Sequence, residues 1–547
     1  MRNRSRSLFL PLVLLLLPGP RASAAEVPLE SFVDRVDVDV VNVEVFVTDR
    51  DGRHVAGLRR EDFVVFEDDQ RVEITNFYAV ARGAGEGAEP VPEGISPDPE
   101  MWPVPEDQRL HLVVYVDNYN LRPTHRARVL EALSGFLEDC LAASARVMLV
   151  AHNGSLEVVQ PFTDDHRRLA AGLGKLGRAT THLPEVDARR RAAIRMIDRA
   201  LVDGDLTSSR SHLDGYVQIL RSEVQRSVRA LESVVRALGI LPGRKAILYL
   251  SDGLETYPGR DLEEMFFGVS AGGGESHLFR RLSREANAQQ VTFYTLDARG
   301  QLTPRQSAEF SAQDLGGDAV EINRLFHLAE PLLAISGPTG GSTILNTFNF
   351  AGTLSQVSED FGNFYSLGYR SRDSGQGKYH KIEVKLRRPG LWLRHRSGYF
   401  DKPAAERVAD RTLSVLLVDG ARNPLGVAVA FGEAEKEGRH KFLLPILVRI
   451  PFQGVTLLPR DEMMEGRLRL FVTVRDEQDR LSPVRELAYP LSVARDELEK
   501  APGGDIGYQA TLEIRPGTQQ VAVGVWDEIS GAESFVRESV VVGEPEK

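Results

Sequence analysis

The sequence predicts a doubly wound α/β domain in the middle of the chain, flanked by two regions of β structure. Three observations carry this prediction. The apolar runs at 110–116 and 246–250 are rich in branched residues, as in strands buried on both faces of a parallel sheet. Helical and strand patterns alternate between residues 110 and 370. Outside that region the helical period gives way mainly to short runs in which apolar and polar residues alternate.

The first 24 residues have the pattern of a signal peptide. Three arginines precede the apolar run 8–17, and Ala22-Ser23-Ala24 provides a cleavage site. The apolar run is too short to span a bilayer, and no later run reaches that length. We therefore expect an exported protein, periplasmic or secreted, without a transmembrane anchor after signal cleavage.

A β module follows at 31–80, and a linker rich in Gly, Pro and Glu follows at 83–105. In the module, valines alternate with polar residues through residue 47, with a change of phase at Val40 and Val41 that suggests a bulge. Asp49-Arg50-Asp51-Gly52 is typical of a turn that ends the run.

The α/β domain is predicted over 108–370. Its first strand, 110–116, leads to a helix at 123–142, and a long amphipathic helix precedes the strand 246–250. The last strand of the series is predicted at 364–369. A closing β segment covers 371–402. About seven strands, the first near 412–418, predict an immunoglobulin-like β-sandwich over 411–547.

Composition argues against a nucleic-acid-binding protein and against a disulfide-stabilised one. The net charge is −11, and no cluster of Lys and Arg stands out in the mature chain, which argues against a nucleic-acid partner. Cys140 is the single cysteine, so the fold contains no internal disulfide. We expect Cys140 to be a small buried hydrophobic residue.

Two aspartates stand directly after strands of the predicted parallel sheet. Asp117 follows the first strand, and Asp252 follows 246–250 with one serine between. Ligands of such sheets bind beyond the carboxyl ends of the strands, and two carboxylates there form the anionic half of a site for a hard cation. The alternative is that both aspartates cap exposed backbone N–H groups of the following turns or helices.

Several separate stretches resemble one family, the bacterial exported von Willebrand factor A-related proteins. The resemblance covers residues 31–400, about two thirds of the chain. It rests on 43–49 with Gly52, Leu58, 61–63 and 67–68; on Asp117-Asn118-Tyr119-Asn120 with Pro123, Arg126 and Arg128; on Ser251-Asp252-Gly253-Leu254-Glu255; and on 363–369, 378–384 and 396–399.

The resemblance implies a metal-ion-dependent adhesion site, which combines a D-x-S-x-S loop, a threonine on a second loop and a later aspartate. Mg²⁺, or Mn²⁺ or Ca²⁺, is the implied ion. The two serine positions here hold Tyr119 and Leu121, so the site is degenerate. The candidate metal ligands are Asp117, Asn120, Thr181 and Asp252, and the candidate partner contacts are Asn118, Tyr119, Thr180 and Ser251.

These features predict an adhesion-type protein-binding protein and no enzyme. If a metal is bound, the partner would reach it through an acidic side chain. Two other functions stay open, a metal-dependent hydrolase and a structural component of the envelope. His152 and His182 show no metal-ligand spacing, and we expect them to be solvated loop residues.

Overall fold

The computed structural model describes residues 40–81, 109–142, 144–268, 274–301, 318–371, 376–418, 422–438, 441–477, 480–495 and 504–543. The predicted signal peptide, the linker 83–105 and the valines before Val40 lie outside these residues. The chain divides into two compact units, one formed by Val36–Pro403 and the other containing Ala404–Lys547. Within the described ranges, no helix is both long and apolar enough to cross a membrane.

The first unit begins with four strands and continues as alternating strands and helices. The early strands are β1 (Val40–Thr48), β2 (Phe63–Glu67), β3 (Gln70–Val72) and β4 (Ile74–Ala81). The α/β region contains β5 (Leu110–Val116), α1 (Pro123–Ala142), β6 (Arg146–His152), β7 (Leu156–Thr163), α2 (His166–Arg178), α3 (Leu183–Val202), α4 (Leu206–Ala237), β8 (Arg244–Ser251), α5 (Arg260–Phe267), α6 (Ser276–Ala288), β9 (Val291–Asp297), α7 (Asp318–Ser336), β10 (Thr343–Ile344) and α8 (Phe350–Gly362).

These strands form a doubly wound sheet, as predicted. Its order is β10-β9-β8-β5-β6-β7, and every pair is parallel except the edge pair of β6 and β7. Alternate residues of β5 point to opposite faces: Leu112 and Val114 pack with α1, α2 and α8, whereas Val113 and Tyr115 pack with α4, α6 and α7. Helix α1 has the predicted bounds, and Cys140 is fully buried on it.

The strand predicted to close the parallel sheet belongs to another sheet. Strand β11 (Asn363–Arg370) pairs antiparallel with β1 and β4. It is followed by β12 (Tyr379–Leu386), β13 (Trp392–His395) and β14 (Gly398–Phe400). Two sheets result, β13-β1-β11-β4 and β14-β12-β2-β3, and one apolar core, including Val43, Val65, Leu367 and Val384, packs them together.

The predicted N-terminal module and closing segment are therefore not separate. Strands from both ends of the first unit pair to form one small β-sandwich. The few strands of either segment could not form a stable apolar core without the strands of the other.

The second unit begins with a helix where a strand near 412–418 was predicted, so that prediction is wrong. Helix α9 (Ala404–Ser414) buries Val408, Thr412 and Leu413, a helical spacing that the short apolar run conceals. The strands that follow are β15 (Ala428–Phe431), β16 (Glu435–Gly438), β17 (Lys441–Pro451), β18 (Leu458–Arg460), β19 (Met463–Asp476), β20 (Arg485–Ala494), β21 (Asp505–Ile514), β22 (Gly517–Asp527) and β23 (Glu533–Val542).

These strands form a β-sandwich. One sheet contains β15, β17, β16 and β21, and the other contains β18, β19, β22, β23 and β20. Their facing side chains, such as Ile446, Leu470 and Val523, form a single core.

Candidate functional site

Asp117 lies at the carboxyl edge of the parallel sheet, where the ends of three strands meet. Val116 is in register with Leu250 of β8 and with Ala151 of β6. The next residues along these strands are Asp117, Ser251 and His152, which the register therefore brings together. All three are buried, and Asp117 is only 1% exposed.

The Asp117 carboxylate is surrounded by hydrogen-bond donors from its own chain. Its Oδ2 accepts from the Tyr249 hydroxyl at 2.6 Å, from Asn120 Nδ2 at 3.0 Å and from Ser251 Oγ at 3.1 Å. Its Oδ1 lies 3.3 Å from His152 Nδ1. A carboxylate has about four lone-pair sites. Three donors reach Oδ2 and His152 reaches Oδ1, so side chains of this chain engage both oxygens.

These donors decide the charge of Asp117. Burial alone raises the pKa of its carboxyl, but the hydrogen bonds from His152, Tyr249 and Asn120 favour the ionised form, and the net pKa is lowered. Burial and the neighbouring Asp117 charge raise the pKa of Tyr249 well above its ordinary value, so its hydroxyl stays a donor. The site therefore holds a buried, ionised carboxylate whose charge is stabilised by hydrogen-bond donors of the same chain.

Asp252 is held by a different set of donors. Its carboxylate oxygens lie 2.9 and 2.8 Å from His125 Nδ1, and one of them accepts from the Arg122 backbone N–H at 3.1 Å. Gly253 follows with a φ of 103°, which glycine adopts without strain, and its N–H donates to Ser251 Oγ. Asp252 thus holds the loop that leads into α1, and the N–H group that it binds does not belong to the turn after its own strand, as the capping alternative expected.

Arg126 joins the first loop to the loop that carries the two threonines. Its guanidinium donates to Asn118 Oδ1 at 3.0 Å and to the carbonyls of Gly177 and Ala179 at 3.2 and 2.7 Å. Asn118 is fully buried. Asn118 therefore positions Arg126, and its side chain is not accessible to a binding partner.

Tyr119 extends the network to the helices α3 and α4. Its hydroxyl donates to Glu223 Oε1 at 2.7 Å, and Arg189 forms an ion pair with the same oxygen at 2.7 Å. Its ring packs beside His182, with the centroids 5.6 Å apart. Leu121, at the second serine position, is buried in the core of the sheet. Both residues that replace serines therefore have structural partners of their own.

The residues predicted as metal ligands do not fit a hard cation as they are arranged. Such a cation needs several free oxygens, whereas the oxygens of Asp117 and Asp252 are engaged by internal donors. Across the described ranges, no three His, Cys, Asp or Glu side chains come together as a metal-holding group. Metal ligation by Asp117, Asn120, Thr181 and Asp252 stays a prediction.

The predicted partner contacts are divided between the interior and the surface. Asn118, Tyr119 and Ser251 are buried. Thr180 is exposed and Thr181 half-buried, on the loop that Arg126 holds.

The sequence analysis missed His125, His152, Glu223 and Tyr249, and also Arg189, which pairs with Glu223. The expectation that His152 is a solvated loop residue is wrong, since it ends β6 and is 1% exposed. Tyr249 lies two residues before Ser251, on the same face of β8, and the parallel register would have indicated it. Glu223 and Ser227 interrupt the apolar face of α4 four residues apart, which is a signal of a polar contact at this point of the helix.

No protein-family model matches the sequence, and no curated protein matches it at a significant level. Solved structures align with parts of it. Proximal thread matrix protein 1 from the mussel byssus is 11% identical over 46% of this chain, with a TM-score of 0.24. The chain spans about half, 48%, of that structure.

Two bacterial structures align as well. The conserved hypothetical protein BatB from Bacteroides thetaiotaomicron is 10% identical over 46% of this chain and 96% of its own, with a TM-score of 0.21. The pilus adhesin SpaC from Lactobacillus rhamnosus GG is 7% identical over 88% of this chain and 56% of its own, with a TM-score of 0.26.

Proposed function

We propose that this chain is an exported, adhesion-type protein-binding protein of the von Willebrand factor A-related kind. In this proposal the carboxyl edge of the parallel sheet meets a protein ligand without a bound cation. The observation that carries it is the Asp117 carboxylate, whose charge is stabilised by Tyr249, Asn120, Ser251 and His152. An edge organised in this way needs no ion to hold its loops.

The surface that would meet the ligand lies on the loop and helix above this network. We call it the edge rim and define it by Thr180, His182, Glu185 and Arg189. Thr180 is exposed, and the side chains of His182, Glu185 and Arg189 are 38%, 73% and 43% exposed. Tyr119 connects the rim to the buried network, because its hydroxyl and ring contact Arg189 and His182. A rim held in place before binding loses little conformational entropy on association.

The same contacts support binding rather than catalysis. A hydrolase that used Asp117 would need one of its oxygens free to orient or deprotonate water. Asp117 is almost fully buried, and both oxygens face donors of this chain. We therefore propose that the chain is not an enzyme.

Quantitative capture tests this proposal. The mature chain is immobilised and exposed to bacterial envelope extract, with and without EDTA. It is compared with a rim variant, Thr180→Arg with Glu185→Lys, and with a matched control, Glu138→Lys, which lies on α1 and is 62% exposed. We expect a ligand that binds the wild type and the control equally, resists EDTA and binds the rim variant at least tenfold more weakly.

Two outcomes would overturn the proposal. Loss of capture in EDTA would show that the edge works through a cation. Undiminished capture by the rim variant would move the binding surface elsewhere and favour the structural envelope role.

A further inference from the structure

A large cavity lies at the end of the first unit opposite the candidate site. Its volume is about 740 Å³, and it is enclosed by the amino ends of β5, β8 and β9 and by β1, β4 and β11 of the small β-sandwich. Cavities of roughly 300–1,000 Å³ are typical of small-molecule sites. Tyr78 and Val80, which are 63% and 42% exposed, line it beside solvent.

The cavity is positively charged in an acidic protein. Arg109, Arg244 and Arg396 line it with a single carboxylate, Glu44. Arg244 is already compensated: its Nε lies 3.0 Å from Glu44, it donates to the Phe361 carbonyl at 2.8 Å, and it stacks on Phe364. Glu44 also attracts Arg396 electrostatically, so one carboxylate faces three arginines and the lining keeps a net positive charge.

Three polar atoms on the lining residues are buried and lack a hydrogen-bond partner. They are Nε of Arg109, Nε of Arg396 and Oδ1 of Asn287. Arg396 and Asn287 are 8% and 2% exposed. The Asn287 amide donates to the Pro338 carbonyl at 3.1 Å, which orients its oxygen away from that bond. A buried polar group without a partner destabilises the fold, and a charged one destabilises it more.

Burial also lowers the pKa of Arg396, as expected for a cation that has lost its water. Its guanidinium donates to the Asn42 carbonyl, which supplies no negative charge. Glu44 is the carboxylate of the lining that acts on Arg396, and an anion in the cavity would add a second negative charge.

The remaining walls suit an apolar body. Phe46, Phe361, Phe364, Leu110 and Val291 line the cavity, and all five are at least nine-tenths buried. A ligand that fills this space would combine an acidic group with an aromatic or aliphatic portion.

We propose that this cavity binds a small organic anion, whose acidic group pairs with Arg109 and Arg396 and whose apolar body packs against Phe46, Phe361 and Phe364. The site is independent of the edge rim, and a failure of either proposal leaves the other standing.

Two fluorescent probes of similar shape test the charge requirement on the full mature chain. 1-Anilinonaphthalene-8-sulfonate carries an anionic group, and N-phenyl-1-naphthylamine is its neutral counterpart. We expect saturable binding of the sulfonate at one site, at least tenfold tighter than the neutral probe. Decanoate, an aliphatic carboxylate, should displace it.

The variants Arg109→Gln and Arg396→Gln should each weaken sulfonate binding at least tenfold and leave the neutral probe unchanged. The matched control is Arg229→Gln, an exposed arginine on α4 outside the cavity. Arg109 is only half-buried, so its variant keeps the test decisive if Arg396→Gln fails to fold. The proposal is overturned by equal binding of the two probes, by sulfonate binding that both variants retain, or by no saturable binding.

Discussion

The charge of Asp117 is stabilised by hydrogen bonds from side chains of the same chain, and these bonds organise the carboxyl edge. Asp117 sits where a cation ligand would be expected, yet its neighbours are a tyrosine, an amide, a serine and a histidine. Hydrogen bonds to an ionised acceptor contribute about 1.5–3 kcal/mol each, more than neutral ones. The network therefore stabilises a buried charge that would otherwise destabilise the fold.

Two neighbouring tyrosines offer a matched test of that network. Tyr249 donates to Asp117 at 2.6 Å, whereas the buried hydroxyl of Tyr115 has no hydrogen-bond partner. The rings lie 5.5 Å apart. We expect Tyr249→Phe to lower the free energy of unfolding by about 1.5–3 kcal/mol, the range for a hydrogen bond to a charged group. Tyr115→Phe should be neutral or stabilising.

Urea denaturation of the two variants measures the difference. Equal losses in both would mean that the hydroxyl of Tyr249 does not stabilise the Asp117 carboxylate.

A second residue-scale prediction concerns pH. Burial lowers the pKa of His395 below its ordinary 6.5. Nε2 accepts from the Val384 N–H at 3.3 Å, a bond that only the neutral ring can make. Nδ1 donates to the Arg396 carbonyl at 2.7 Å, which by itself raises the pKa, but the effect of burial is larger. As pH falls below about 6.5, the unfolded chain takes up this proton before the folded chain does. The stability contributed by His395 is present above that pH and is lost as pH falls through the lower folded pKa.

We expect the free energy of unfolding of the wild type to fall faster than that of His395→Gln between pH 7.5 and 5, by at most about 1.4 kcal/mol per pH unit. Denaturation curves across this range give the difference in the free energy of unfolding between the two proteins. The contributions of the other histidines are common to both proteins and cancel in this difference. Parallel pH profiles would contradict the assignment.

The positions of Asp117 and Asp252 could largely be predicted from the sequence, but their hydrogen-bond partners could not. Asp117 and Asp252 follow recognisable strands, and the parallel register places them at one edge. The donors around them come from the ends of other strands and from α1, and the replacement of Ser by Tyr119 is explained only by Glu223 on α4. Spacing along one chain does not contain such contacts between distant segments.

At the scale of elements, buried ion pairs fasten the small β-sandwich to the helices. Asp360 of α8 accepts from Arg394 of β13 at 2.8 and 2.7 Å and lies 3.0 Å from His54 Nε2. Its side chain is 3% exposed. Removing one partner of a fully buried pair costs about 3–5 kcal/mol. Because the Arg394 side chain is 33% exposed, we expect Asp360→Asn to cost somewhat less, about 2–4 kcal/mol.

The control is Asp51→Asn, whose partner Arg53 lies 3.5 Å away with both side chains more than 70% exposed. An exposed pair contributes about 0–1 kcal/mol. Thermal and urea unfolding of both variants provide the comparison. A loss for Asp360→Asn no larger than that for Asp51→Asn would show that the buried pair does not fasten α8 to β13.

Some helices and strands could be predicted from the sequence, and others could not. Helix α1 and the long amphipathic helix α4 were predicted correctly, because an apolar face with a period of 3.6 depends only on local sequence, whereas α9 was mistaken in part for a strand. Strand β11 was assigned to the wrong sheet, because its buried positions look the same whichever sheet it joins. Its partners β1 and β4 lie about 300 residues earlier.

At the scale of the whole molecule, the chain is built from two units with separate cores. The first contains two distinct surfaces, the edge rim at the carboxyl end of the sheet and the charged cavity at its amino end. The proposal for the rim requires that the edge is complete without a cation.

Isothermal titration calorimetry of the mature protein with Mg²⁺, Mn²⁺ and Ca²⁺ measures whether this edge binds a cation, with Asp117→Ala as the reference. Because the Asp117 and Asp252 oxygens are engaged by donors of the chain, we predict the same small, non-saturating heats from both proteins. A saturable one-site isotherm in the wild type that is lost in Asp117→Ala would show that the edge is a cation site.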